Sequence, residues 1–285
     1  MHEIIRMSER AAVSLESLHG RKAKLHSLFH SACNIVCDNG DLICIQPEGS
    51  IFSPLSLVVK HGLPDMRNIP IGSEVFYSSE KKILSVAGTD FDLASSLCIP
   101  CRYVYRSPMS GNPEKLLSVM QRVYELGTKK QREIFESNVY KKCVTGIERV
   151  AAAIRSGDKD GAVSAALSLI GLGFGLTPTG DDMLTGFFAA ARYDSQMNAL
   201  AEKIRKPLIE RALSATTAVS GAFLVCAMET EYSEVTAAVL DALYSGDETA
   251  CLNACRDMLE LGSTSGKDCL FGMLCAVRLL CKGKE

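Results

Sequence analysis

Residues 171–186 read GLGFGLTPTGDDMLTG, and this stretch decides how the chain is divided. Gly171, Gly173 and Gly175 alternate with large apolar residues. Thr177, Pro178, Thr179 and Gly180 follow, and then the carboxylate pair Asp181 and Asp182. From Met183 onwards Leu184, Phe187, Phe188 and Ala191 recur at helical spacing. A glycine-rich loop therefore runs into a helix whose first turn carries two acids. Glycine lets backbone approach a ligand closely, and a helix start presents unpaired N–H groups that attract anions. The same residues also fit plain packing. Gly171 can end the preceding helix, and Thr179 with Asp182 three residues on fits a capping box.

A second copy lies further along. Residues 263–272, STSGKDCLFG, align with TPTGDDMLTG at 177–186, sharing Thr/Ser, Thr/Ser, Gly, Asp, Leu and Gly. Ser265 and Asp268 again fit a capping box, and Leu270, Met273, Leu274 and Val277 again follow at helical spacing. Gly186 stands four residues after Asp182 and Gly272 four after Asp268, so each glycine shares its acid's helix face, one turn on. Glycine inside a helix costs about 1 kcal/mol relative to alanine. Two such costs at matched positions point to close helix packing or to room for a ligand. The spacing predicts that the two helices pack through the Gly186 and Gly272 faces and open their N-termini onto one cleft.

Away from these motifs the period changes. Ile35–Cys37 and Leu42–Ile45 flank Asp38-Asn39-Gly40-Asp41, a strong hairpin signal. Further strands are expected at 56–60, 74–78, 83–87 and 102–106, and a short helix within 4–18 ending at Gly20. Short strands at this spacing read as a small barrel or sandwich. Residues 107–113, SPMSGNP, read as a linker. Beyond it only helical patterns appear, near 113–126, up to 155, then 158–170, 196–211, 214–229, 233–245 and 247–261. The expected architecture is α+β: a β-rich, barrel-like N-terminal domain at 1–108, then an all-helical domain at 113–285 carrying both motifs. Within the 214–229 segment, Thr216, Thr217, Ser220 and Gly221 form a polar stripe, read as hydroxyls bonding back to the helix or as a pocket wall.

Composition narrows the function. The 285 residues are 47% hydrophobic and carry a net charge of −2 with no basic block, which argues against nucleic acid. No apolar run reaches membrane-spanning length, and the start MHEIIRMSER contains acids and lacks a signal-peptide core, so a cytoplasmic protein with reduced cysteines is expected. The twelve cysteines form no metal framework; Cys98 and Cys101 make a single C-x-x-C, placed before an expected strand rather than opening a helix. All five histidines precede residue 62, so the helical half offers no Ser-His-Asp triad and no His metal site. It offers carboxylates, hydroxyls, backbone N–H groups and Lys267. Asp181, Asp182 and Asp268 are the candidate catalytic acids, and Asp182 with Asp268 is the candidate pair for Mg²⁺. Gly173, Gly175, Thr177, Thr179, Gly180, Ser263, Thr264, Ser265, Gly266 and Lys267 are the candidate binding residues for a carboxylate or phosphate ligand.

The two motifs, GLGFGLTPTGDDMLTG and LGSTSGKDCLFG, resemble the AllH-like family, which includes the AllH-type subunit of oxamate carbamoyltransferase. The resemblance is strong over the helical domain and one of texture over the β-rich part; Lys267 stands where family members usually carry an aromatic residue. It implies a cytosolic multi-subunit enzyme of anaerobic allantoin breakdown, which phosphorolyses oxalurate to oxamate and carbamoyl phosphate. Two other readings stand beside it: a non-catalytic assembly subunit with motifs that only pack, and a Mg²⁺-dependent hydrolase of a phosphate-containing small molecule.

Overall fold

The computed structural model describes residues 1–18, 22–106, 112–128 and 136–282. The chain forms two compact units, Met1–Arg102 and Tyr103–Glu285. Of the expected linker, residues 107–111 lie outside the described residues, as does Gly20.

The first unit is a barrel. Its strands are β1 (His2–Ser8), β2 (Ala23–Phe29), β3 (Ala32–Cys37), β4 (Leu42–Pro47), β5 (Ser56–Val59), β6 (Glu74–Ser78), β7 (Ile83–Val86), β8 (Thr89–Asp92) and β9 (Leu97–Ile99). They pair in the order β5-β4-β3-β2-β6-β7-β8-β1, and β1 closes the ring antiparallel to β5 with Ile4 opposite Val59. β9 runs parallel to β1 at Arg6–Ser8, beyond the point where β8 leaves it at Glu3. The Asn-Gly hairpin forms between β3 and β4: Gly40 takes φ +86°, and the Cys37 amide donates to the Asp41 carbonyl at 2.8 Å. Alternating residues fill the barrel interior, among them Ile4, Leu25, Ile35, Leu57, Leu84 and Phe91.

The N-terminus differs from the expected helix. Residues 2–8 are a strand, and the helix α1 (Glu9–Ser17) starts only after Ser8. The Ser8 hydroxyl accepts from the Ala11 amide at 3.1 Å and donates to the Pro54 carbonyl at 2.6 Å. Ser8 is therefore an N-cap. It leaves the β-branched pair Ile4-Ile5 free to close the barrel, while Ala11 and Leu15 of α1 join its core.

The second unit is helical: α2 (Pro113–Thr128), α3 (Asn138–Arg155), α4 (Lys159–Leu169), α5 (Thr179–Ala191), α6 (Ser195–Ala215), α7 (Ala218–Met228), α8 (Glu234–Ser245), α9 (Glu248–Leu259) and α10 (Ser265–Lys282). No strand forms over 103–106, contrary to the reading of 102–106. Tyr103 instead shares a 2.8 Å hydrogen bond with the Tyr193 hydroxyl, and Tyr105 donates to the Ala189 carbonyl at 2.7 Å. Arg106 pairs with Asp241 and lies over the Tyr244 ring. Two tyrosines with helix partners outweigh the β-propensity of this short run.

The stretch read as one helix from 214 is also different. α6 stops at Ala215, Thr216 is extended, and Thr217 caps α7 by accepting from the Ser220 amide at 3.1 Å. The break follows from the hydroxyls, which are engaged elsewhere. α5 is buried nearly all round and forms the axis of the unit.

Candidate functional site: two helix starts in register

Neither expected capping box forms. α5 begins at Thr179 with Pro178 in the capping position, where no side chain is available to accept, and α10 begins at Ser265 itself. Thr179 and Ser265 are thus the first helical residues, and their hydroxyls are released from capping. Each turns to the other motif. The hydroxyls of Ser265 and Thr177 lie beside Asp182 and favour its charged form, and those of Thr179 and Thr264 do the same for Asp268. Thr177 and Ser265 also bond to each other at 2.7 Å.

The reciprocity continues one turn on. A Cβ on Gly186 would overlap the carbonyl of Cys269, and one on Gly272 would overlap the carbonyl of Met183. Numbered from the first helical residue, position 1 of each helix meets position 4 of the other, and position 8 meets position 5. Only two helices running in the same direction and in register satisfy both sets. The contact is backbone on backbone, which small residues alone permit. Both N-termini open at one end, and Asp182 and Asp268 are close enough that each counts in the other's surroundings: the Asp268 charge raises the Asp182 pKa.

The acids do not share one role. Asp181 is buried and fully partnered: one oxygen accepts from the Gly171 amide at 2.8 Å, the other from Thr216 and, at 2.7 Å, from Ser220. Burial raises its pKa and these three donors oppose the rise. It ties the glycine loop and the α6–α7 break to the start of α5. This explains the polar stripe: two of its hydroxyls belong to Asp181, and Thr217 donates to the Leu176 carbonyl.

Asp182 and Asp268 are different. Oδ2 of Asp182 and both carboxylate oxygens of fully buried Asp268 meet no partner in hydrogen-bond geometry. Burial pushes the Asp182 carboxyl well above the usual range, with Asp268 adding to it. Burial lifts Asp268 to about 7 against the Thr179 and Thr264 hydroxyls and the charge of Lys267. Lys267, itself buried, is lowered to about 8 by desolvation, and its Nζ lies 4.7 Å over the Tyr124 ring. The Tyr124 hydroxyl shares a 2.8 Å bond with that of Tyr140, whose pKa Asp268 helps raise. Tyr124, Tyr140 and Cys143 thus join the surroundings of Asp268, and no spacing in the sequence marked them.

The other nominated residues divide by space. A Cβ on Gly173 would strike the Thr179 amide, on Gly180 the Leu169 carbonyl, and on Gly266 the Met258 carbonyl. These glycines are required by chain packing. Gly175, at φ +86°, alone faces open space, between exposed Phe174 and Leu176. Ser263 lies exposed in the turn before α10. Among the described residues no group of three His, Cys, Asp or Glu side chains is arranged to hold a metal ion. A cation at Asp182 and Asp268 would therefore draw its remaining ligands from water or substrate.

No helix among the described residues is long and apolar enough to cross a membrane. No solved structure matches the chain. A family model described as oxamate carbamoyltransferase subunit AllH matches residues 169–277, from the glycine loop through most of α10. A second, the AllH family N-terminal domain, matches residues 4–98, the barrel. With the barrel and both paired motifs so matched, the chain belongs to the AllH family of oxamate carbamoyltransferase subunits.

Proposed function

We propose that this chain is a catalytic component of a cytoplasmic oxamate carbamoyltransferase and acts with partner subunits. The reaction is phosphorolysis of oxalurate, or a related ureido acid, to oxamate and carbamoyl phosphate in allantoin breakdown. One observation carries the placement of the chemistry: the unpartnered, buried oxygens of Asp182 and Asp268 at two adjoining helix starts.

The reaction needs a proton donor. A hydrogen phosphate oxygen attacks the carbamoyl carbon, the bond from that carbon to the oxamate nitrogen breaks, and the nitrogen leaves only if it gains a proton. A carboxylic acid supplies that proton and recovers one from the hydrogen phosphate, so the pair ends as it began. Ordinary aspartates are ionised at neutral pH and cannot donate. Burial, with the Asp268 charge, raises the Asp182 carboxyl well above the usual range, and burial lifts Asp268 to about 7, which suits general acid chemistry. Each proton held by the pair also lessens the repulsion that two carboxylates would exert on anionic substrates. Lys267 and the amide groups of the two helix ends then favour phosphate and the substrate carboxylate.

The test is an assay of the assembled enzyme, co-expressed with its partner subunits, for carbamoyl phosphate formed from oxalurate and phosphate. Asp182→Asn and Asp268→Asn should each lower kcat by about 100-fold or more, the usual worth of a positioned acid, with circular dichroism unchanged. Full activity in both folded variants overturns the reading.

A further inference from the structure

α3 presents two faces. Its inner face, with Tyr140 and Cys143, looks towards the acids. Its outer face carries Lys142, Thr145 and Arg149, spaced three and four apart along one side of the helix, with Lys141 next to Lys142 and one turn before Thr145. That outer face borders a cavity of about 640 Å³, closed on the other side by Ser168, Leu169 and Leu172. Gly146 forms the join: a Cβ there would meet the Leu169 side chain, so glycine lets α3 and α4 close beneath the groove.

The charge on this groove is uncompensated. Three cations line it and no acid does. Several lysines and arginines elsewhere on the surface face acids: Lys60 with Glu3, Arg67 with Asp65, Lys82 with Glu16, Lys203 with Asp160 and Arg205 with Glu229. Among the described residues Lys141, Lys142 and Arg149 have no such partner. A solvated helix face would not need a concave wall, and simple helix-end compensation would not need three charges. Leu172, partly exposed, adds apolar surface beside the cations, which suits an organic body rather than a bare ion. The volume is many times that of inorganic phosphate and falls in the range of small-molecule sites.

We propose that this groove binds a phosphate-bearing organic anion of nucleotide size, at a site separate from the Asp182–Asp268 pair. Lys141, Lys142 and Arg149 hold the phosphates, with Arg149 able to bind two oxygens at once. Leu172, partly exposed in the groove, contacts the organic part. The groove is joined to the acid pair through Leu172, whose carbonyl accepts from the Gly180 amide at 2.8 Å and from the Cys143 thiol at 3.4 Å. An occupant pressing on Leu172 thus bears on the start of α5.

Equilibrium dialysis of the full chain with ADP tests this, with inorganic phosphate and an oligoglutamate peptide as comparison probes at fixed ionic strength. ADP should bind saturably, more tightly than phosphate, and more weakly as salt rises. Lys142→Gln and Arg149→Gln should each weaken ADP binding about tenfold, the worth of one charge-assisted hydrogen bond. These side chains are exposed, so the fold should persist. Asp268→Asn should still bind ADP, which separates this site from the acid pair whatever becomes of the proposed activity. The proposal is overturned if ADP does not bind, if the glutamine variants bind it unchanged, or if the oligoglutamate binds and ADP does not.

Discussion

The starts of α5 and α10 are one device built twice, and of the four positions at which STSGKDCLFG and TPTGDDMLTG part, the fifth reverses a charge. In the first copy that residue is Asp181, held by the Gly171 amide and the hydroxyls of Thr216 and Ser220. In the second it is Lys267, over the Tyr124 ring and beside Asp268. One copy spends the position on fastening the loop to the scaffold. The other places a buried cation next to an acid. The shared positions build a symmetric frame, and the exchanged one gives the frame a polarity that an asymmetric substrate requires.

The frame itself is the most exposed to failure. Gly186→Ala and Gly272→Ala each drive a methyl into the facing carbonyl and should cost about 3 kcal/mol or more. Because both push the same two helices apart, the double variant should cost clearly less than the sum of the two. Urea titration reads this directly, and additive losses would mean that the two contacts are independent.

The next largest effect separates the acids. Asp181→Ala strands three donors in the interior and should lose about 2–3 kcal/mol. Asp268→Asn removes a group with unpartnered oxygens and, below about pH 4 where Asp268 is protonated in both states, should change stability by about 1 kcal/mol at most, of either sign. Equal losses by chemical denaturation would erase the distinction between fastening and chemistry.

The acid–base balance of the pair gives a third test. Asp268 holds its proton up to about 7, whereas in the unfolded chain it ionises near the usual 3.8. The folded state therefore binds more protons across this window. Stability contributed by the neutral form is complete below about pH 4 and is lost as pH rises towards 7, by at most about 1.4 kcal/mol per pH unit. Asp268→Asn should flatten that slope when the two proteins are unfolded in parallel at pH 5 and pH 7. Identical slopes would show that Asp268 ionises normally.

The smallest effect concerns the exchanged residue. Lys267→Met keeps the apolar stem over Tyr124, so stability should move by less than about 1 kcal/mol. Lys267 lowers the Asp268 pKa, so its removal should shift the alkaline limb of kcat/KM to higher pH. A limb that stays in place would detach Lys267 from the acid.

Much of this frame is legible in the sequence because packing and repetition report on the same residues. Gly186 and Gly272 recur at one spacing from matched acids, and only close helix contact makes glycine useful at both. The caps are not legible. Whether Thr179 caps a helix or begins it depends on one residue's backbone angles, and Thr-x-x-Asp is compatible with either. Nor could the sequence separate Asp181 from Asp182. Neighbours on a helix point about 100° apart, so two adjacent acids must face different surroundings, but which faces the other motif depends on a helix 80 residues away. Tyr124, Tyr140 and Cys143 were hidden for a similar reason: they reach Asp268 from α2 and α3, and nothing in their own spacing distinguishes them from core residues. In the barrel, the closing strand is hidden because the apolar residues of 4–18 also fit a helix, and only the cap at Ser8 divides strand from helix.

The closed ring of strands bears on how a subunit of this kind meets its neighbours. A sheet recruits another chain most readily by lending its border, where backbone amides and carbonyls stand ready to pair. In this barrel β1 and β5 consume both borders, and among the described residues only three-residue β9 continues beyond the ring. So short a border offers few ladder bonds. Companion chains that seat on the barrel must therefore recognise its side chains, and recognition of that kind is set by residues on the outer faces of the strands and rewritten one substitution at a time, with the ring left intact.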